Sequence, residues 1–111
     1  MTRAPERHAL VVGVRPEKRE EYLKLHSAVW PGVEQKLVEC NIRNYSIFVF
    51  GDILFAYYEY VGEDHAADMA TLAEDPETRR WWALTDALQQ PDPERPPGTW
   101  WLDLPEIFHS D

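Results

Sequence analysis

The 111-residue sequence has one cysteine and no long apolar run. A single cysteine, Cys40, excludes an internal disulfide, so we expect a reducing compartment. No apolar stretch approaches the roughly 20 residues of a transmembrane helix, and the one near the N-terminus is too short for a signal peptide. These features predict a cytoplasmic protein with no membrane partner.

Basic residues are also few, with 11 lysines and arginines against 20 acidic residues and a formal net charge of −9. Such a surface repels phosphate backbones and anionic lipids, and the sequence contains no basic patch. We therefore expect no nucleic-acid partner.

Several signatures of catalytic or cofactor sites are missing. There is no glycine-rich phosphate loop, and neither Ser27 nor Ser46 lies in a nucleophile elbow. The histidines lack metal-ligand spacing with each other or with Cys40. They are His8, His26, His65 and His109. We expect no metal and no cofactor.

The patterns that are present predict a single α+β domain over residues 1–111. Four of the nine prolines lie in residues 91–98, which we interpret as a loop. Apolar and β-branched runs predict strands at 8–14, 45–50, 53–61 and 99–104. Helical spacing predicts helices from about residue 17 to 40, broken near Trp30–Pro31, then at 63–73 and after Asp75.

This β-α-β-β-α-β order is typical of a ferredoxin-like sandwich, a four-stranded antiparallel sheet with helices on one face. Both faces of the two central strands are apolar, yet helices cover only one face. The other needs a partner, so we expect a homodimer of the dimeric α+β barrel type.

Tyr22 and His26 lie one helical turn apart and project from the same face. This spacing places a phenol beside an imidazole, the side chain best suited to proton transfer near neutral pH. The alternative is that His26 is a half-buried residue filling a gap in the apolar stripe.

Two adjacent tryptophan pairs add aromatic surface. Trp81 and Trp82 point about 100° apart on a helix, so one packs inward and the other lies at a boundary, as an interface residue or a ligand platform. Trp100 and Trp101 face opposite sides of the predicted last strand, where core and dimer packing account for both.

Glu59 lies in an otherwise apolar strand and needs a partner or a role. A three-residue hairpin loop at 50–52 places Arg43 opposite Glu59 and Tyr45 opposite Tyr57. A two-residue loop places Asn44 opposite Glu59, on the other face from Tyr45. An Arg43–Glu59 ion pair and an accessory role in the site are both open.

Together these residues resemble the L-rhamnose mutarotase family, small bacterial proteins that interconvert the α and β anomers of a 6-deoxy sugar. The most specific combination is Tyr-x-x-x-His-x-x-x-Trp-Pro followed far downstream by Trp-Trp. The matching segments are residues 20–26 (EEYLKLH), 29–31 (VWP), 44–47 (NYSI), 54–56 (LFA) with Glu59, 80–82 (RWW) with Thr85 and Asp86, and 106–109 (EIFH).

The resemblance implies a ferredoxin-like fold dimerised through its sheets, a small sugar substrate and no cofactor. It implies that His26 is a proton donor and that Tyr22, Tyr45, Trp81 and Trp82 bind the sugar. The 50–52 turn, the proline-rich loop and Trp100–Trp101 depart from the family pattern. The competing hypotheses are a dimeric ferredoxin-like monooxygenase and a non-catalytic sugar-binding module.

Overall fold

The computed structural model describes residues 4–111, which form one antiparallel sheet and four α-helices. The strands are β1 (Glu6–Val14), β2 (Ile42–Phe50), β3 (Ile53–Tyr60), β4 (Gln89–Gln90) and β5 (Leu102–Leu104). The helices are α1 (Arg19–His26), α2 (Pro31–Glu39), α3 (His65–Glu74) and α4 (Pro76–Leu88). None of the helices within this range is long and apolar enough to cross a membrane.

The strand order β2-β3-β1 confirms the ferredoxin-like α+β fold, but the outer edge differs from the prediction. Two short strands share that edge of β1: β4 pairs with Gly13 and Val14, and β5 pairs with residues 9–11. The predicted strand over residues 99–104 is therefore only three residues long. Trp100 and Trp101 precede it and pack against the core instead of extending the sheet.

Proline positions set the helix boundaries. The chain leaves β1 through a 3-10 turn at Pro16–Lys18 before α1 begins, two residues later than the sequence predicts. The predicted break is present, because α1 ends at His26 and Pro31 is the first residue of α2. Proline suits this position since the first-turn amide has no partner within the helix.

The hairpin between β2 and β3 combines both registers that the sequence left open. At the tip, Gly51 and Asp52 form a two-residue loop in which Phe50 faces Ile53, and Gly51 has φ +59°. A β-bulge between Arg43 and Ser46 then shifts the pairing by one residue. The bulge restores the Arg43–Glu59 pairing, but Ser46, not Tyr45, lies opposite Tyr57.

One sheet face packs against the helices, and the other is uncovered. Val12, Val14 and Leu54 join helix residues in one core cluster, while Ile42, Tyr58 and Tyr60 form a second. The opposite side, here called the open face, contains exposed apolar side chains. These are Phe48, Phe50, Ile53 and Phe55, and Phe50 is 77% exposed.

Asp75 caps α4, the helix that contains the Trp81–Trp82 pair. Its Oδ2 accepts hydrogen bonds from the Thr78 amide at 2.9 Å and the Thr78 hydroxyl at 2.8 Å. We predict that Asp75→Ala lowers the free energy of unfolding by about 1–2 kcal/mol in urea denaturation, because both donors lose their acceptor. Asp75→Asn keeps an acceptor and should lose less. Equal urea midpoints for the alanine variant and the parent would contradict the capping role.

Candidate functional site

A cavity of about 860 Å³ lies between the sheet and helices α1, α2 and α4. Residues from both core clusters line it, so it separates two parts of the hydrophobic interior. Five of the six candidate site residues face this one space. They are Tyr22, His26, Tyr45, Trp81 and Trp82.

Tyr22 and His26 form a stacked pair in the cavity wall. Both lie on α1, and their ring centroids are 4.3 Å apart with an interplanar angle of 28°. Tyr22 is 2% exposed and belongs to the core, whereas His26 is half-buried. The one-turn spacing thus places an imidazole against a rigid, buried phenol ring.

The backbone fixes which nitrogen of His26 is free. His26 Nδ1 lies 3.0 Å from the Tyr22 carbonyl oxygen, which can only accept a hydrogen bond. Nδ1 therefore carries the hydrogen in the neutral ring, and Nε2 holds a lone pair. Burial lowers the pKa of His26 below its usual value, despite an opposing effect of the carbonyl. At neutral pH the ring is uncharged and Nε2 is a proton acceptor.

The two tryptophans of α4 take different positions. Trp81 is buried, and its ring meets His26 edge-on at 5.3 Å and Trp30 edge-on at 5.2 Å. Trp82 also lines the cavity but is 38% exposed. One ring holds the imidazole in place, and the other offers an accessible aromatic surface.

Tyr45 lines the cavity beside the β2 bulge. Asn44 lies in the bulge with φ +53°, a left-handed conformation that asparagine adopts more readily than most residues. Tyr45 continues the alternation set at the hairpin tip, so it lies on the helix-facing side and stacks on Tyr58 with centroids 5.8 Å apart. On the other side of Asn44, the extra residue returns Ile42 to the core.

The cavity phenols stay protonated at neutral pH. Desolvation raises the pKa of Tyr22, Tyr45 and Tyr58 to about 12 each. They can donate and accept hydrogen bonds, but they do not serve as bases. Beside these phenols, His26 Nε2 is a neutral proton acceptor.

Glu59 does not line the cavity, because its side chain lies on the other face of β3. It accepts hydrogen bonds from Asn44 Nδ2 at 2.8 Å and from the Tyr57 hydroxyl at 2.9 Å. These two bonds lower the pKa of Glu59. The Arg43–Glu59 ion pair, one of the two alternatives left open, does not form: Arg43 donates to the carbonyls of Val38 and Ile42.

Among the cavity-wall residues that sequence reasoning did not assign to the site, four bear on its chemistry. Trp100 and Trp101 both line it, so their interpretation as opposite faces of a strand is wrong. Gln89 and Asp86 line it as well, at and beyond the end of α4. In the sequence, only the family resemblance pointed to Asp86. A single glutamine after a helix belongs to no periodic pattern that would mark Gln89 as a site residue.

Asp86 is a carboxylate in the cavity wall with no hydrogen-bond or ion-pair partner within residues 4–111. Desolvation raises its pKa. A carboxylate only accepts hydrogen bonds when ionised, so it suits a ligand that presents hydroxyl groups. No group of three or more potential metal-ligating side chains occurs in the described part of the chain.

Comparison with known proteins identifies the family. The sequence profile of the L-rhamnose mutarotase family matches residues 7–110. The chain belongs to the L-rhamnose mutarotase family. The L-rhamnose mutarotase of Phocaeicola vulgatus is 32% identical over 108 residues, covering 96% of this chain and 99% of that protein. The Listeria monocytogenes serotype 4b mutarotase is 36% identical over 106 residues, covering 94% and 97% respectively.

Solved structures agree with the family assignment. The L-rhamnose mutarotase of Formosa agariphila superposes with a TM-score of 0.74 at 25% identity, covering 96% of this chain and 99% of that one. Tetracenomycin F2 cyclase from Streptomyces glaucescens, a polyketide cyclase, shares the fold alone, with a TM-score of 0.67 at 15% identity. The same fold therefore also occurs in an enzyme with a different activity.

Substitution of Asn44 tests the left-handed conformation in the bulge. Asn44→Ala removes the bond to Glu59 but keeps a Cβ in a conformation that costs roughly 1–2 kcal/mol. Asn44→Gly removes the same bond without that cost. Chemical denaturation should therefore find the alanine variant less stable than the glycine variant. The reverse order would show that the left-handed conformation does not limit this position.

Proposed function

We propose that this protein is an L-rhamnose mutarotase, which interconverts the α and β anomers of L-rhamnose. The observation that carries the proposal is the Tyr22–His26 pair in an aromatic cavity, with the Tyr22 carbonyl holding His26 in one tautomer. Family membership supplies the substrate class. The reaction itself needs only proton transfers.

The proposed chemistry begins with neutral His26. Its Nε2 accepts the proton of the anomeric hydroxyl, and a proton from the resulting imidazolium passes to the ring oxygen. The electrons of the O–H bond form the C1 carbonyl as the C1–O5 bond breaks toward O5. The aldehyde rotates about C1–C2 and closes on its other face by the reverse transfers, which regenerates neutral His26. A proton donor in one step is thus a proton acceptor in the other.

The remaining candidates bind the sugar in this proposal. Trp82, supported by buried Trp81, covers the apolar side of a 6-deoxy sugar and its methyl group. Tyr22 and Tyr45 donate hydrogen bonds because their phenols stay protonated. Asp86, an exposed carboxylate at the cavity wall, accepts hydrogen bonds from sugar hydroxyls. Glu59 has no direct role, since its carboxylate lies on the other face.

The two competing hypotheses are less well supported. A monooxygenase on this scaffold remains consistent with the fold alone, as the cyclase neighbour illustrates, but not with the family of the chain. A non-catalytic sugar-binding module gives no reason for an imidazole whose free nitrogen is a proton acceptor at neutral pH.

Saturation-difference NMR of anomer exchange tests the proposed function. The protein should accelerate exchange of L-rhamnose in proportion to its concentration. L-fucose and the 6-hydroxy analogues of both sugars measure how far the cavity depends on the methyl group. Binding of L-rhamnose without acceleration would establish the binding-module alternative instead.

His26→Ala should lower kcat by about 10²- to 10⁴-fold with a much smaller change in sugar affinity, as expected for a proton-transfer group. Anomer-exchange rates and calorimetric titration separate the two quantities. A folded variant that binds the sugar and keeps its rate within about threefold of the parent would assign the proton transfer to another group.

The pH profile gives a second test of His26. Because burial lowers its pKa below 6.5, neutral His26 should persist into mildly acidic solution. We expect kcat/KM to be constant from neutral pH to below 6.5 and then to fall as His26 becomes protonated. An acid limb with its midpoint above pH 6.5 would contradict the proposed neutral state.

We also propose a homodimer formed through the open face of the sheet. Four large apolar side chains are exposed there, and Ile107 and Phe108 add apolar surface in the C-terminal segment. Arg7 anchors that segment to β1 by donating to Glu106 at 2.7 Å. Burying this surface against a second copy removes it from water. A single domain and a cytoplasmic location also stay predictions, the latter supported by one buried cysteine, Cys40.

Sedimentation tests the dimer. The parent should sediment at twice the 13.0 kDa chain mass, and Phe48→Asp should shift it to the monomer by placing a charge in the interface. Leu84→Asp is a matched control, because Leu84 is an exposed leucine on the helix side. A monomeric parent at micromolar concentration, or equal behaviour of the two variants, would contradict the interface.

A further inference from the structure

Three polar groups of the cavity wall, on Trp100, Gln89 and Tyr22, form a chain of hydrogen bonds. The Trp100 indole Nε1 donates to Gln89 Oε1 at 2.7 Å, and Gln89 Nε2 donates to the Tyr22 hydroxyl at 3.1 Å. Gln89 is 2% exposed, as is Tyr22. These hydrogen bonds therefore connect the loop before β5, through Gln89 in β4, to the Tyr22 phenol, which stacks on His26.

The chemistry of the groups fixes the direction of every bond in this chain. An indole N–H only donates, so the Gln89 carbonyl oxygen must face Trp100 and its NH₂ group must face Tyr22. The Tyr22 oxygen thus accepts from Gln89, which leaves the phenol's own hydrogen to point elsewhere. Within residues 4–111 no group accepts that hydrogen, and the cavity is the open space beside it.

We propose that Gln89 and Trp100 are positioning residues that make Tyr22 a hydrogen-bond donor to the sugar. The Trp100 N–H keeps the Gln89 amide oxygen directed toward Trp100. The Gln89 NH₂ group therefore faces the Tyr22 oxygen, so Tyr22 cannot donate its own hydrogen to Gln89. The donor then faces a sugar oxygen whose negative charge grows during ring opening. This inference rests on the proposed function, since it gives the Tyr22 hydroxyl a role in the reaction.

The proline-rich loop holds Trp100 in place. Arg95 lies over the indole ring, with its guanidinium carbon 5.6 Å from the ring centroid. Its Nε donates to the Thr99 carbonyl at 2.8 Å and its Nη1 to the Asp92 carbonyl at 3.1 Å. Two departures of this sequence from the family pattern, the proline-rich loop and Trp100, thus support one orientation of Tyr22.

A double-mutant cycle on the anomer-exchange rate tests the proposal. Trp100→Phe keeps an aromatic ring but removes the N–H that fixes the amide, and kcat/KM should fall by roughly 3- to 10-fold, the effect of one neutral hydrogen bond. In a Tyr22→Phe background the same change should have no further effect, because there is no hydroxyl to orient. A purely structural role predicts additive losses.

Two further variants sharpen the cycle. Gln89→Met removes both bonds at similar size and should also lose its effect in the Tyr22→Phe background. Trp101→Phe is the matched control, since Trp101 lines the same wall but its indole makes no hydrogen bond within residues 4–111. Its effect, of whatever size, should combine additively with Tyr22→Phe. All comparisons use variants shown to be folded by urea denaturation.

The indole N–H resonance of Trp100 provides a readout besides activity. It should shift and exchange faster with solvent in Gln89→Met, and it should stay nearly unchanged in Tyr22→Phe. An unshifted resonance in Gln89→Met, or additive rate losses, overturns the inference. If the parent accelerates exchange and Tyr22→Phe does so equally well, the inference fails while the proposed function stands. If the parent does not accelerate exchange, the proposed function fails, and with it this role of Tyr22, even where the indole resonance confirms the bond.

Discussion

The position of Tyr22, in the hydrophobic core and in the cavity wall at once, determines the rest of the site. Its ring packs with Val12, Val14 and Leu54, which fixes α1 against the sheet. Its carbonyl selects the tautomer of His26, and its hydroxyl accepts from Gln89. A residue that merely bound a sugar could move with it. A residue that also belongs to the core cannot, so the imidazole is pre-organised before the sugar arrives.

A second constraint comes from the sheet, whose two faces have different tasks. The helix-facing side must fill a core and still leave a cavity, and the other side remains apolar and uncovered. The bulge at Asn44 lets β2 contribute to both faces, because one extra residue reverses the alternation of side chains between the two faces along the strand. On the hairpin side of the bulge Tyr45 lies over Tyr58, and beyond the bulge Ile42 returns to the core. Glu59 accepts a hydrogen bond from Asn44 on the open face.

Much of this architecture follows from local chemistry that the sequence displays. Helical spacing places Tyr22 beside His26, prolines mark the start of α2 and α4, and Asp75 caps α4 as its sequence context predicts. The bulge was not predictable, because both hairpin registers are locally consistent. The choice between them depends on the hydrogen bond from Asn44 to Glu59. The last strand was predicted three residues too long, since Trp100 and Trp101 pack against core residues that are distant in the sequence, and β4 was missed. Gln89 was missed because its importance lies in two partners, 67 and 11 residues away in sequence.

The central claim is that neutral His26 presents Nε2 to the anomeric centre, and nitrogen-15 NMR of labelled histidine tests it most directly. At neutral pH, we expect His26 Nδ1 to have the chemical shift of a protonated nitrogen and Nε2 that of an unprotonated one. Addition of L-rhamnose should move the Nε2 signal much more than the Nδ1 signal. A hydrogen on Nε2 of the neutral ring, or an Nε2 signal that L-rhamnose leaves unchanged at saturation, would contradict the account.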